Sequence, residues 1–268
     1  MPSSRQEPGL THSPDASPRT VDAAGRDSPA RPGGRVLAVR NPDALIFAAD
    51  MYAVQLDQLA QLVGDERAAR AAAARWRALG YAETARLTQG PAWLWVTKAG
   101  LAACGRSYQE VRPGLGALAH TRAVAAVRLG LEATKSYQAA EAFWRSERRI
   151  RSGYRIGQRE HLPDGEVHWP DGTPVGWAGE CWAVEAEVTR KTAARTTAIM
   201  REILTRTGDY GCPAAEAFVP GRPPRHARVL YLCSPGALGT VLRAREELGP
   251  LAARVEVRDL PPGAPLAS

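Results

Sequence analysis

Lysine is nearly missing from this chain. Lys98, Lys135 and Lys191 are the only three among 35 basic residues, and the other 32 are arginines. An Ala- and Arg-rich, Lys-poor composition suggests a high-GC genome, so part of the arginine excess reflects codon usage. The four cysteines, Cys104, Cys181, Cys212 and Cys233, form no CxxC pair, which argues against a zinc ribbon or a disulfide scaffold. No apolar run approaches the ~20 residues that a membrane span needs. The N-terminus lacks a charged-then-apolar signal pattern, so a soluble, cytoplasmic protein without membrane contact is expected. There is no Walker-type glycine-rich loop and no dinucleotide fingerprint after a strand.

What is present is unevenly spread charge. Between Arg106 and Arg159 lie eleven basic and four acidic residues, whereas the rest of the chain holds 24 of each sign. The whole formal net charge of +7 therefore sits in one segment. Such a stretch suits a polyanion, usually nucleic acid; the plain alternative is a solvated helix face in an Arg-biased chain.

Residues 1–35 are rich in Ser, Pro, Gly, Asp and Arg and too poor in large apolar residues to offset the entropy of ordering, so they read as a disordered tail. Residues 36–105 predict a helical unit ending in a hairpin. Helices are expected over Ala44–Gln55, over Leu56–Leu62 closed by Gly64, and from an Asp65 N-cap to Leu79. On the third helix Ala69, Ala72, Ala73 and Trp76 share one face and Arg67, Arg70 and Arg77 another. Two strand-like stretches follow, Glu83–Thr88 and Ala92–Thr97, with Trp93 and Trp95 on the packed side. Three helices and a two-stranded wing are the order of a winged helix-turn-helix, whose third helix enters the major groove with its outer arginines on phosphates and base edges; the plain alternative is an ordinary helical subdomain whose arginines are merely solvated.

Residues 106–260 predict helices over His120–Glu132 and Ala139–Arg151, the latter carrying Arg145, Arg148 and Arg149. Strands are expected at Glu166–Trp169, Cys181–Val188, Val229–Cys233 and Arg254–Val257, with helices over Thr192–Thr207 and Leu238–Leu248. This is an α/β or α+β domain with a mixed sheet. Residues 261–268 read as an unstructured Pro-rich end.

The sharpest chemistry lies in Pro163-Asp164-Gly165 and, about twenty residues on, Val184-Glu185-Ala186-Glu187-Val188 followed by Lys191. Alternation in a strand turns Glu185 and Glu187 the same way, and two carboxylates on one strand face need a cation, protons or arginines. A hairpin through the turn at Pro170-Asp171-Gly172 would bring Asp164 beside Glu185. Asp164, Glu185 and Glu187 would then offer hard oxygen ligands suited to Mg²⁺ or Mn²⁺. Such an ion activates water for phosphodiester displacement, with Lys191 available to stabilise developing charge. The competing readings are a turn residue for Asp164 and arginine salt bridges for the two glutamates. His161 and His168 flank Asp164, and a tyrosine nucleophile among Tyr108, Tyr137 and Tyr154 lacks an accompanying His-hydrophobic-His motif.

The segments His120–Glu132 (HTRAVAAVRLGLE), Trp144–Arg151 (WRSERRIR), His161–Gly165 (HLPDG) and Ala183–Lys191 (AVEAEVTRK) resemble the replication-relaxation family of actinobacterial plasmids and integrative elements. The winged helix ending in Val96-Thr97-Lys98-Ala99-Gly100 resembles its N-terminal half. The second half is similar to the PD-(D/E)xK nuclease-like fold. That resemblance implies Glu147 as a helix acid, Asp164 as the strand acid and Glu185 as the first residue of Glu-x-Lys, with Glu187 standing where the pattern has lysine. The expectation is an α+β chain, a winged helix followed by an α/β nuclease-like domain. It would act on double-stranded DNA for a mobile element through Asp164, Glu185, Glu187, Lys191 and Glu147, with Arg67, Arg70, Arg77, Arg145, Arg148 and Arg149 on DNA. The alternative is a non-catalytic DNA-binding replication factor or regulator, its nuclease-like half serving as a homodimerisation or scaffold module. A third reading is a protein-interaction adaptor whose basic stretch docks an acidic partner.

Overall fold

The computed structural model describes residues 41–153, 160–174, 176–212 and 214–264, all within one compact unit, Val39–Ser268. The expected tail over 1–35 and Tyr154 lie outside the described residues.

Helix α1 (Pro42–Asp50) opens with proline where a missing N–H costs no bond. It stops short of the expected Gln55 because Tyr52 adopts a φ of 65°, which no helix continues through, and Val54–Gln55 becomes strand β1. Helix α2 (Leu56–Val63) starts from a Gln55/Gln58 capping box and ends at Gly64, whose φ of 113° favours glycine. Helix α3 (Glu66–Ala78) is capped as expected: the Asp65 carboxylate accepts from the Ala68 N–H at 2.7 Å. Ala69, Ala72, Ala73 and Trp76 are buried, and Arg67, Arg70 and Arg77 are exposed. Strands β2 (Ala82–Ala85) and β3 (Trp93–Val96) pair antiparallel, and β1 adds to the far side of β3. Trp93 and Trp95 pack with Ala53 and Leu118, while Leu94 and Val96 enter the main core. Helix α4 (Lys98–Ala103) follows.

Helix α5 (Leu118–Glu132) matches the expected helix. The expected helix over Ala139–Arg151 is instead three elements: α6 (Lys135–Ala139), β4 (Phe143–Ser146) and α7 (Glu147–Arg151). Glu141 at a φ of 51° halts the first turn. Phe143 and Trp144 then suit a pleated strand, and the Ser146 hydroxyl starts a new helix by accepting from the Arg149 N–H. Next come β5 (Gly165–His168), β6 (Cys181–Glu187), α8 (Ala193–Thr205), α9 (Ala214–Ala217), β7 (Arg228–Cys233), α10 (Pro235–Glu246) and β8 (Val255–Asp259). The chain is thus α+β, with a three-stranded antiparallel sheet and a mixed five-stranded sheet of order β4-β5-β6-β7-β8. The β4–β5 and β5–β6 pairs are antiparallel. The β6–β7 and β7–β8 pairs are parallel, with α8 and α10 lying in their crossovers.

Both sheet faces are covered. Trp182, Val184, Ala186, Leu230 and Leu232 belong to one apolar cluster that also holds Leu45 and Phe47 of α1, Trp76 of α3 and Ala123 of α5. One core therefore runs unbroken from the first helix to the large sheet, across position 105. On the other face Ala183, Val229, Tyr231 and Cys233 pack against Met200, Ile203 and Leu204 of α8 and Val241 and Ala244 of α10. The end expected to be unstructured from position 261 is instead a turn over 261–264 that seats Ala264 fully buried in the main cluster, and residues 265–268 lie outside the described residues.

Candidate functional site

The β5–β6 register decides where the carboxylates meet. Gly165 pairs with Val184, so Asp164, one residue earlier, arrives opposite Glu185, as the expected hairpin requires. Asp164 Oδ2 accepts from the Ala186 N–H at 2.8 Å, and its Oδ1 lies 2.8 Å from His120 Nε2 on the first turns of α5. Glu185 Oε1 lies 2.7 Å from His161 Nε2. Glu187 Oε2 accepts from Lys191 Nζ at 2.6 Å. Glu185 and Glu187 do share a face, but that face is packed rather than open, and both are buried. Strand β6 ends at Glu187, so Lys191 reaches back from the loop before α8 instead of continuing the strand.

The electrostatics follow from burial and proximity. Desolvation pushes the Glu185 carboxyl up; Asp164 adds to this and His161 opposes it. Burial opposes protonation of His120, but the Asp164 carboxylate outweighs it and raises the imidazole to about 9. His161 is raised in the same sense, burial opposing and the Glu185 charge prevailing. Tyr231, beside Glu185 on β7, is held far above the ordinary phenol range by burial and by Glu185, Glu187 and Asp164.

Glu147 sits in α7, after β4, rather than on the helix that precedes the sheet. Its carboxylate is engaged by Arg151, yet it lines the same 270 Å³ cleft as Asp164 and His120, together with Met51, Tyr52 and Val111. The backbone ties the two acids together, since the Glu147 N–H donates to the Asp164 carbonyl at 3.1 Å.

The basic segment is largely spent inside the fold. Arg106 pairs with Asp50, Arg122 with Asp57, Arg128 with Glu132 and Arg145 with Glu166. Arg148 was expected on DNA but is buried: it donates to the carbonyls of Ala49 and Gln109 and stacks over Tyr52 and Tyr108. Arg149 is exposed, and Arg145 is partly so. The local charge excess therefore overstates the basic surface, because acids from distant sequence positions neutralise it.

Two groups escaped sequence reasoning. His120 lies 44 residues from Asp164, and its only signal was its place at the start of a quoted motif. The second is a polar nest on the α8-facing side of the sheet. Glu166 is fully buried and is contacted by Arg225, His226, His168 and Arg145. Glu166, Cys181 and His226 are the one group of three His, Cys or carboxylate ligand atoms within 4.8 Å of one another among the described residues. Asp164, Glu185 and Glu187 do not close to that distance. Among the described residues no helix is long and apolar enough to cross a membrane. Comparison of the chain with protein-family models, with curated proteins and with solved structures finds no match.

Proposed function

We propose that this chain is a winged-helix DNA-binding protein of a plasmid or integrative element whose second half is a PD-(D/E)xK-like, metal-dependent DNA nuclease or nickase. The observation that carries the reading is the β5–β6 register that sets Asp164, which lines the cleft, opposite the buried Glu185. The order of α1, α2, α3 and the β2–β3 hairpin supports the DNA-reading half, with Arg67, Arg70 and Arg77 exposed on α3. The ion pair on that face, Arg70 to Glu66 at 3.3 Å, is exposed and weak.

The donor set fits Mg²⁺ or Mn²⁺. These hard cations are commonly held by one or two carboxylates and otherwise keep water, so Asp164 and Glu185 suffice without a third close ligand. Burial does most to raise the Glu185 carboxyl, and the part that the Asp164 charge adds is the kind a cation relieves. When bound, the ion supplies a polarised water and neutralises phosphate charge. The protein's own residues do the rest. The Ala186 N–H fixes the Asp164 carboxylate. Lys191, anchored on Glu187, brings positive charge to the phosphate. His120 holds a proton on Nε2 with its side chain 47% exposed and offers it to the departing sugar oxygen as the phosphorus–oxygen bond breaks.

The test is incubation of pure protein with supercoiled plasmid and Mg²⁺ or Mn²⁺. Relaxed or linear product, abolished in Asp164→Ala and Glu185→Gln, is expected; intact plasmid with both ions overturns the catalytic reading. The second reading, a non-catalytic DNA-binding factor, is favoured by the internal partner that each carboxylate already has. It requires DNA binding that Glu185→Gln leaves unchanged, without cleavage.

A further inference from the structure

The nest around Glu166 is separate from the hydrolytic chemistry proposed above, and its composition points elsewhere. Register places His168 directly across from Cys181, and alternation puts Glu166 on the same face. Cys181 Sγ lies 3.8 Å from His168 Nε2. Glu166 Oε2 lies 3.1 Å from His168 Nε2, and Glu166 Oε1 lies 2.9 Å from His226 Nε2. Ligand atoms on a tetrahedral zinc stand about 3.3–3.6 Å apart, from bonds of roughly 2.0–2.3 Å. Glu166, Cys181 and His226 bring one oxygen, one sulfur and one nitrogen within 4.8 Å of one another, and His168, beside both Glu166 and Cys181, would complete a four-ligand set by closing in.

His226 supplies an independent observation. It is fully buried, and its Nδ1 makes no hydrogen bond of ordinary geometry among the described residues, although a weaker backbone interaction with Ile203 reaches the ring. If the proton is on Nε2, a buried Nδ1 lone pair goes unsatisfied, at a cost. If it is on Nδ1, a bare Nε2 lone pair faces the carboxylate at 2.9 Å. A cation on Nε2 resolves the second arrangement. Glu166 is also crowded. Two nitrogens of Arg225, one of Arg145 and two imidazoles converge on an acceptor with about four lone-pair sites. Withdrawing the imidazoles to a metal leaves Arg225 and Arg145 as the hydrogen-bonding support that ligating carboxylates require. Phe143 stacked on His168 at 4.7 Å fixes the remaining ring.

We propose that Cys181, His168, His226 and Glu166 form a zinc site that clamps β5, β6 and the segment entering β7. Mixed sulfur, nitrogen and oxygen ligation selects Zn²⁺ over the hard cations suited to Asp164 and Glu185. The site is structural in character, since its ligands come from adjacent strands rather than from the cleft.

Metal analysis of the purified full chain should find about one zinc per chain, as a closed structural site holds its ion. Cobalt-substituted protein should show the thiolate-to-metal charge-transfer absorption and strong d–d bands of a tetrahedral site. Cys181→Ser should lose the charge-transfer band, and His226→Gln should lose most bound metal. Cys104→Ser and Asp164→Ala should keep both, which separates this site from the carboxylate pair. Should the ligand variants fail to fold, wild-type cobalt spectra and zinc titration of chelator-treated protein still decide. A chain that binds neither metal stoichiometrically, or a cobalt spectrum without thiolate character, overturns the proposal. So does a spectrum that survives Cys181→Ser.

Discussion

Replacing Asp57 with alanine should destabilise the protein by about 2 kcal/mol and loosen a residue on the far side of the core. Asp57 sits in the first turn of α2 and takes a two-pronged bond from Arg122 of α5, at 3.0 and 2.6 Å. Arg122 also donates to the Gln55 side chain, and its own carbonyl accepts from Gln58 Nε2 at 2.9 Å. The guanidinium is buried, its side chain 9% exposed, whereas that of Asp57 is 33% exposed. Breaking a fully buried pair costs ~3–5 kcal/mol, and an exposed one is worth ~0.2–1 kcal/mol; the mixed burial puts this pair at about 2 kcal/mol. Arg122 lies two residues after His120, so the bridge also holds the turn that presents His120 to Asp164. Urea denaturation of Asp57→Ala, Arg122→Met and the double variant should give a coupling energy above ~1 kcal/mol. The His120 ring signals should shift in the NMR spectrum of Asp57→Ala. A destabilisation below ~0.5 kcal/mol, or singles that simply add, would refute the reasoning.

The same pair carries a pH dependence. Partial burial disfavours the Asp57 carboxylate, but the Arg122 guanidinium outweighs it and holds the carboxyl below its ordinary value. Its stabilisation is therefore complete above the ordinary aspartate pKa of about 4 and lost as pH falls through the lower folded-state value. The wild-type advantage over Asp57→Ala should be flat near neutrality and shrink only in acid. Gly100→Ala should be severe, because a Cβ there would lie 2.0 Å from the Tyr81 carbonyl oxygen, which is backbone and accepts from the Thr97 N–H. A loss of roughly 3 kcal/mol or more is expected, and an unchanged melting temperature would show that α4 shifts freely. Reversing Arg67 and Arg77 to glutamate should weaken binding to duplex DNA and flatten its salt dependence while leaving the fold intact. Unaltered binding in a gel-shift titration would remove α3 from the interface.

Much of this architecture was legible because local chemistry and periodicity enforce it. Asp65 and Gly64 bracket α2 and α3 through caps whose geometry depends on a few neighbouring residues. Trp76 and the arginines of α3 separate by helical period alone. The strands from Cys181 onward alternate or run apolar, as buried strands do, and the turn before β6 is written in Pro170-Asp171-Gly172. The hairpin that carries Asp164 to Glu185 follows from those strands and that turn.

What the sequence could not decide were contacts between distant segments and the sign of an environment. Sequence places Trp144 within a helix, because a short aromatic run is ambiguous until a partner strand exists. The paired glutamates of β6 were rightly placed on one face, but whether that face met water or α8 depended on the packing of a helix that follows them. The basic segment looked like a DNA-facing surface because a charge tally cannot see Asp50, Asp57 and Glu166 arriving from elsewhere in the chain. His120 joined Asp164, and His226 joined Glu166 and Cys181, only through tertiary folding, since each pair is separated by dozens of residues and no periodicity links them. Sequence by itself determined the elements and their caps, which are local and cooperative over a few residues. The tertiary structure decided which charges are spent, which are buried, and which histidines meet which carboxylates, because Coulomb and desolvation energies depend on distance in space.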